Sequence, residues 1–176
     1  MLLMFYQKVI LIPLDDVLNV VRNDALIRVH ITLINILDNS NVPVVLADTH
    51  GACHLEAKLI KEALNNLPLE KLELLIIENV GNLVCPASFD LGTNYNIVIA
   101  SVPEGDDKPY KYPKMFKGAD IVILNKTDYL KSEPFNLEYF TRGVEILNQN
   151  TQIFPLSCKT DESVNKWINW IKDKLA

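Results

Sequence analysis

The stretch Ala119-Asp120-Ile121-Val122-Ile123-Leu124-Asn125-Lys126-Thr127-Asp128 decides the fold of this 176-residue chain. Four aliphatic residues run unbroken from Ile121 to Leu124, with polar residues on both sides. That pattern predicts a strand buried on both faces, as in a parallel sheet covered by helices. Toward the C-terminus, Ser132 and Pro134 mark the start of a helix over Phe135–Asn148. Gln152–Leu156 reads as the next strand. The last helix begins near Thr160, with Asp161 and Glu162 in its first turn and Val164, Trp167, Ile168, Ile171 and Leu175 on its apolar face.

Toward the N-terminus, Asn96–Ser101 predicts a strand leading into the polar loop EGDDKP at residues 104–109. Leu74–Ile77 predicts another, followed by a loop rich in Asn and Gly. From His54 to Leu67 the pattern is an amphipathic helix, with Leu55, Leu59, Ile60, Ala63 and Leu64 on one side. Val42–Leu46 reads as a buried strand and Asp15 to about Leu37 as a helix. Val9–Ile12 is a short apolar run of strand type. Strands alternating with helices predict one α/β domain with a mainly parallel sheet flanked by helices. Loops after the strand C-termini form the ligand crevice in such sheets.

Bulk properties narrow the function. Hydrophobic residues make up 49% of the chain and the net charge is −5. No cluster of Lys and Arg stands out, which argues against nucleic-acid and anionic-membrane binding. Apolar stretches are strand-sized, so no transmembrane helix is predicted. The start, MLLMFYQKVILIPL, lacks a basic leader and a small-residue cleavage site, and reads as a strand or lead-in. Three cysteines, at positions 53, 85 and 158, form no CxxC pair. That spacing suits a reduced, cytoplasmic chain.

Asn125-Lys126-Thr127-Asp128 follows the aliphatic strand directly, and its chemistry fits guanine. The Asp128 carboxylate can accept from the ring N–H and the exocyclic amine together. The Lys126 stem can lie over the base, and Asn125 can tie neighbouring loops. Ser157-Cys158-Lys159-Thr160 follows the next strand. There the Cys158 N–H is expected to meet the guanine oxygen, and Lys159 to cover the other face. NKxD alone is a weak string that ordinary βα loops also produce. Its position after a strand, about thirty residues before an S-x-K loop, gives it weight. This pair of motifs resembles the guanine-reading segments of GTPases.

A phosphate loop needs G-x-x-x-x-G-K-[ST], whose backbone N–H groups, Lys and hydroxyl hold phosphates and magnesium. None of the six glycines is followed by Lys. Phosphoryl transfer depends on those parts, so GTP or GDP binding is expected to be weak, hydrolysis doubtful and magnesium absent.

Cys53 and His54 are adjacent at the start of a predicted helix, where the dipole favours thiolate. Cys85 lies in ENVGNLVCPASFDLG, after another strand. Two thiolates and an imidazole suit zinc or nickel. On the residues alone, the alternative of small buried cysteines stands beside that reading. The run ENVGNLVCPASFDLG, then EGDDKPYKYP, then ADIVILNKTD, resembles the hydrogenase nickel-incorporation GTPases (HypB-type), and GACHLEA at Gly51–Ala57 is similar to their metal-loop segment. The similarity covers roughly Val42 to the C-terminus, after a lead-in over residues 1–41. The related urease-maturation GTPases carry a Cys-Pro-His motif, whereas Cys85-Pro86 is followed here by Ala87.

The resemblance implies a P-loop GTPase-like fold of the SIMIBI type with an apparent internal deletion near Val42–Asp48. It implies Cys53, His54 and Cys85 as nickel or zinc ligands, a homodimer sharing the metal site, and delivery of nickel to [NiFe]-hydrogenase. Hydrogenase maturation proteins and the hydrogenase large subunit are the implied partners. His50 reads as an exposed loop residue or as a fourth ligand. Glu78, in the place of the second switch, reads as a structural polar group at a strand end. Two alternatives stand beside the delivery reading: a non-hydrolysing metal-binding partner or scaffold, and a truncated product without function.

Overall fold

The strand Ile121–Asn125 is buried at every position, as its uninterrupted aliphatic sequence requires. It lies within a six-stranded sheet in a computed structural model that describes residues 2–5, 10–11, 45, 52–79, 81 and 83–175. The strands are β1 (Leu2–Phe5), β2 (Ile10–Leu11), β3 (Leu75–Glu78), β4 (Tyr95–Ser101), β5 (Ile121–Asn125) and β6 (Gln152–Pro155). Their spatial order is β2-β3-β1-β4-β5-β6. All pairs are parallel except β2 with β3, which is antiparallel at the edge. The α/β class and the mainly parallel sheet agree with the sequence.

Alternation along the strands sorts the core into two layers. Ile97, Ile121 and Ile123 face one side, where they meet Val164, Trp167, Ile168 and Ile171 of helix α5 (Val164–Leu175). Val98, Ala100, Val122 and Leu124 face the other side. There they meet Ile60 of α1 (Ala57–Leu64), Met115 and Phe116 of α3 (Pro113–Lys117), and Phe140 and Val144 of α4 (Leu137–Leu147). A short helix, α2 (Lys108–Lys111), packs beside α3 and α4. Side chains as large as Trp167, Phe116 and Phe140 are fully buried, and each contributes about 1.5–3 kcal/mol through apolar burial.

Several boundaries differ from the expected ones, each for a local reason. Ser132 does not start α4; its hydroxyl donates to the Tyr129 carbonyl at 3.2 Å and closes the preceding 3-10 turn, Thr127–Lys131. Asn136 caps α4 instead, accepting from the Tyr139 N–H at 3.0 Å. Asp161 and Ser163 have φ of 58° and 59°, which no right-handed helix accommodates, so α5 starts at Val164. The loop after β4 contains helices α2 and α3, each with Pro in its first turn, where a missing N–H does no harm. The helix expected from His54 begins at Ala57.

Within the expected strand Val9–Ile12, Ile10 and Leu11 form β2, and its two end residues fall outside the described residues. Val45 lies in no strand; the rest of the strand expected at Val42–Leu46, and the helix expected over Asp15–Leu37, fall outside the described residues. The place between β3 and β4 admits one strand, and Leu2–Phe5 takes it, pairing with both neighbours. β3 lies on one side of β1 and β4 on the other, so the chain crosses β1 between β3 and β4. The C-terminal end of β1 is therefore the point where strand order reverses, the usual ligand crevice of such sheets. Among the described residues no helix is long and apolar enough to cross a membrane.

Candidate functional site

At the end of β5, Asn125 is buried and its side chain bridges two loops. Its Oδ1 accepts from the Lys126 N–H at 2.7 Å and from the Cys158 N–H at 3.2 Å. Asn125 thus ties the loops together, as its sequence position suggests. The Cys158 N–H is engaged by that bond, however, so the expected donation from Cys158 to a guanine oxygen is not met in this arrangement. The competing acceptor is the Asn125 amide, which sequence alone does not place there.

Lys126 takes the left-handed conformation, φ 62° and ψ 38°, and so turns the chain sharply at the strand end. The next N–H, of Thr127, donates to the Leu156 carbonyl at 3.2 Å. Asp128 follows with only 16% of its side chain exposed. Its Oδ1 accepts from the Ser157 hydroxyl at 2.7 Å, and its Oδ2 lies 3.8 Å from the Lys159 ammonium. The Ser157 hydroxyl in turn accepts from the Thr160 N–H at 3.3 Å. Each carboxylate oxygen can accept more than one bond, so Asp128 is held in place while keeping capacity for the two adjacent N–H groups of a guanine edge. Lys159, 63% exposed, also sits 5.5 Å above the Tyr129 ring. The six residues named from the sequence, Asn125, Lys126, Asp128, Ser157, Cys158 and Lys159, therefore converge at the ends of β5 and β6.

The second group lies beyond the end of β3. Cys53 is exposed, and its Sγ stands 3.8 Å from Nδ1 of His54. The Cys53 thiol also shares a hydrogen bond with Cys85, which holds its pKa above the usual thiol range. Here the geometry corrects the sequence reading. Cys53 precedes the α1 cap, Glu56, by three residues, and the second thiol favours the protonated form where the helix dipole was expected to favour thiolate. A cation entering the site would displace that proton. The two loops are brought together, with Cys53 shared by both contacts. Among the described residues no three such side chains converge closely enough to hold a metal as they stand. The Cys53–His54 separation is nonetheless suitable. A tetrahedral ion with bonds of about 2.3 Å to sulfur and 2.0 Å to nitrogen has an S···N edge of about 3.5 Å, close to the 3.8 Å found. His50 lies outside the described residues.

Three residues that the sequence reading passed over build this loop. The Leu55 N–H donates to Asn79 Oδ1 at 3.0 Å, both residues being buried, and so fastens the Cys53–His54 loop to the end of β3. The Phe89 ring stacks on His54 with centroids 3.6 Å apart and planes 10° from parallel. Glu56 brings a carboxylate oxygen to 3.6 Å from His54 Nε2. The available signals were an Asn after an aliphatic strand, an aromatic close behind Cys85 and an acid two residues past His54. None of these has meaning until the loops are juxtaposed. Glu78 is buried at the end of β3, in keeping with a polar group at a strand end.

Comparison with known proteins finds similarity along most of the chain. The model of the CobW/HypB/UreG nucleotide-binding domain matches residues 8–155. Hydrogenase maturation factor HypB of Escherichia coli (strain K12) is 41% identical over 133 residues, 76% of this chain and 46% of that protein. Hydrogenase/urease maturation factor HypB of Helicobacter pylori (strain J99) is 45% identical over 130 residues, 72% of this chain and 54% of that protein. The chain thus spans about half the length of these relatives. The crystal structure of HypB from Helicobacter pylori in complex with nickel superposes with a TM-score of 0.83 at 34% identity, covering 99% of this chain and 86% of that one. HypB from Archaeoglobus fulgidus superposes with a TM-score of 0.83 at 25% identity, covering 99% and 90%.

Proposed function

The chain belongs to the CobW/HypB/UreG family of nucleotide-binding domains, and from that membership we propose that it is a hydrogenase maturation factor that binds nickel or zinc and delivers nickel to [NiFe]-hydrogenase. The observation that carries this reading is the meeting of Cys53 with both His54 and Cys85 on loops fastened to the end of β3. Cys53, His54 and Cys85 are the proposed ligands. Three ligands leave one position of a tetrahedral ion open, which a second copy of the chain would fill in a homodimer sharing the ion. The proposed partners are hydrogenase maturation proteins and the hydrogenase large subunit, in the cytoplasm.

The guanine-reading residues support binding of GTP or GDP through the base. No glycine in the chain is followed by Lys, and the four residues after β1, Tyr6 to Val9, contain no glycine. That sequence favours a second reading of the same site, a non-hydrolysing metal-binding partner. One paired measurement separates the two: nickel or zinc binding alongside GTP turnover on the purified chain. Turnover above that of a Lys126→Ala/Asp128→Ala double variant supports the enzyme. Stoichiometric metal lost in Cys53→Ala or Cys85→Ala, without turnover, supports the partner. No metal binding at all removes both.

A further inference from the structure

Two of the residues around His54 have the geometry of a fixed mount. The Phe89 ring lies flat against the imidazole at 3.6 Å between centroids, which opposes rotation about Cβ–Cγ and so holds the ring plane. Within that plane its two nitrogens face different groups. Nδ1 looks toward Cys53 Sγ at 3.8 Å, and Nε2 looks toward Glu56 Oε1 at 3.6 Å. The His54 side chain is only 16% exposed. Nε2 itself is buried and makes no hydrogen bond among the described residues, because 3.6 Å lies just beyond bonding distance. Glu56 is 64% exposed, so its side chain is free to close that gap by a small rotation.

A ligating imidazole almost always donates its second N–H to a carboxylate, carbonyl or water, and that partner selects the tautomer. We propose that Phe89 and Glu56 are positioning residues for His54, the first fixing the ring plane and the second holding Nε2–H, so that the imidazole offers its Nδ1 lone pair to a metal ion shared with Cys53. This rests on the proposed metal loop. Phe89 follows Cys85 by four residues, so the segment that brings the second thiol also brings the ring that orients the imidazole. Glu56 is the cap residue of α1. The helix start therefore fixes where its backbone stands, and a side-chain rotation brings the carboxylate to Nε2.

The test uses the full chain, nitrogen-15 labelled, titrated with zinc. Long-range proton–nitrogen spectra of the imidazole report which nitrogen is metallated, and competition with a chromophoric chelator gives affinity. The expected result for the parent is metal on Nδ1 and a proton on Nε2. Phe89→Leu and Glu56→Ala are expected to weaken zinc binding about tenfold to a hundredfold, while Phe89→Tyr and Glu56→Gln recover most of it. With cobalt, thiolate charge-transfer bands remain in all four. Metal on Nε2 in the parent overturns the proposal, as does unchanged affinity in both Phe89→Leu and Glu56→Ala while Cys53→Ala still abolishes binding. A parent that binds no zinc, or binding indifferent to Cys53→Ala, overturns the metal loop itself. If Phe89→Leu fails to fold, the parent spectrum and the exposed Glu56→Ala position decide.

Discussion

Replacing Asn79 with Ala tests how the metal loop is fastened to the sheet. The Leu55 N–H donates to Asn79 Oδ1 at 3.0 Å, with Leu55 3% and Asn79 0% exposed, so water does not readily take over the bond. An orphaned buried donor costs about 1–3 kcal/mol. How that cost appears depends on whether the loop stays docked. If it does, global stability falls, and with a urea slope near 2 kcal/mol per molar the midpoint moves down by roughly 0.5–1.5 M. If instead residues 52–56 detach in the free protein, zinc binding must dock them again. The same 1–3 kcal/mol then weakens affinity by about fivefold to 150-fold. Urea unfolding and chelator competition on the same preparation measure both routes, and the two losses together should fall in that range. A urea midpoint and a zinc affinity both indistinguishable from the parent would refute the fastening role of Asn79.

Asn125→Ala removes the acceptor for two backbone N–H groups, those of Lys126 and Cys158. A loss of about 2–4 kcal/mol is expected from two orphaned donors, read by urea unfolding, together with loss of guanine nucleotide binding by calorimetry. At Gly143 an added Cβ would lie 2.7 Å from Tyr110 Cε2 and 3.0 Å from Pro109 Cβ. Gly143→Ala should therefore lower the melting temperature despite the ~1 kcal/mol that Ala contributes to a helix, because Tyr110 must give up its bond to the Tyr139 carbonyl. The exposed Asp107–Lys111 pair holds the Asp107 carboxyl below and the Lys111 ammonium above their usual pKa values. A depressed carboxyl loses its contribution as pH falls through its folded pKa, and a raised ammonium loses its own as pH rises through its folded pKa. Any stabilisation is thus fully present between roughly pH 4 and pH 10 and is lost progressively outside that window. It should be screened by salt, and Asp107→Asn melts at several salt concentrations check it.

The residues that could be read in advance are those whose meaning is local. Ile121–Leu124 announces a buried strand because nothing else accommodates four aliphatic residues in a row between polar neighbours. The face of α5 announces itself because Val164, Trp167, Ile168 and Ile171 recur at helical spacing and all end up buried. Asn125, Asp128 and Ser157 could be placed together in advance because their spacing after strands is itself the signal. Leu2–Phe5 as a central strand was harder, since its four residues carry no alternation that separates them from a lead-in. Helices α2 and α3 are four and five residues long, too short for a hydrophobic period to register. Asn79, Glu56 and Phe89 act on Leu55 and His54, and the distances from Asn79 to Leu55 and from Phe89 to His54 are properties of the folded loops.

The two halves of the site also differ in what they depend on. The proposed guanine side is built from the ends of β5 and β6 and is cross-tied by Asn125 and Ser157. The proposed metal side is tied to the end of β3 by the Leu55–Asn79 bond and to the loop after Cys85 by the His54–Phe89 stack. A nucleotide would couple the two most directly through its phosphates at the end of β1, where the strand order reverses. No glycine of the chain is followed by Lys, so the sequence offers no phosphate loop of the usual pattern. Coupling is a difference in affinity between two states, and a base-only contact at β5 and β6 touches none of the residues that fasten the metal loop. Saturating GDP is therefore expected to leave the zinc affinity of this chain unchanged within a factor of about two, well below the 5–150-fold typical of coupled sites. A larger shift in the chelator titration with and without GDP would mean that the phosphates reach the end of β3 by contacts of another kind.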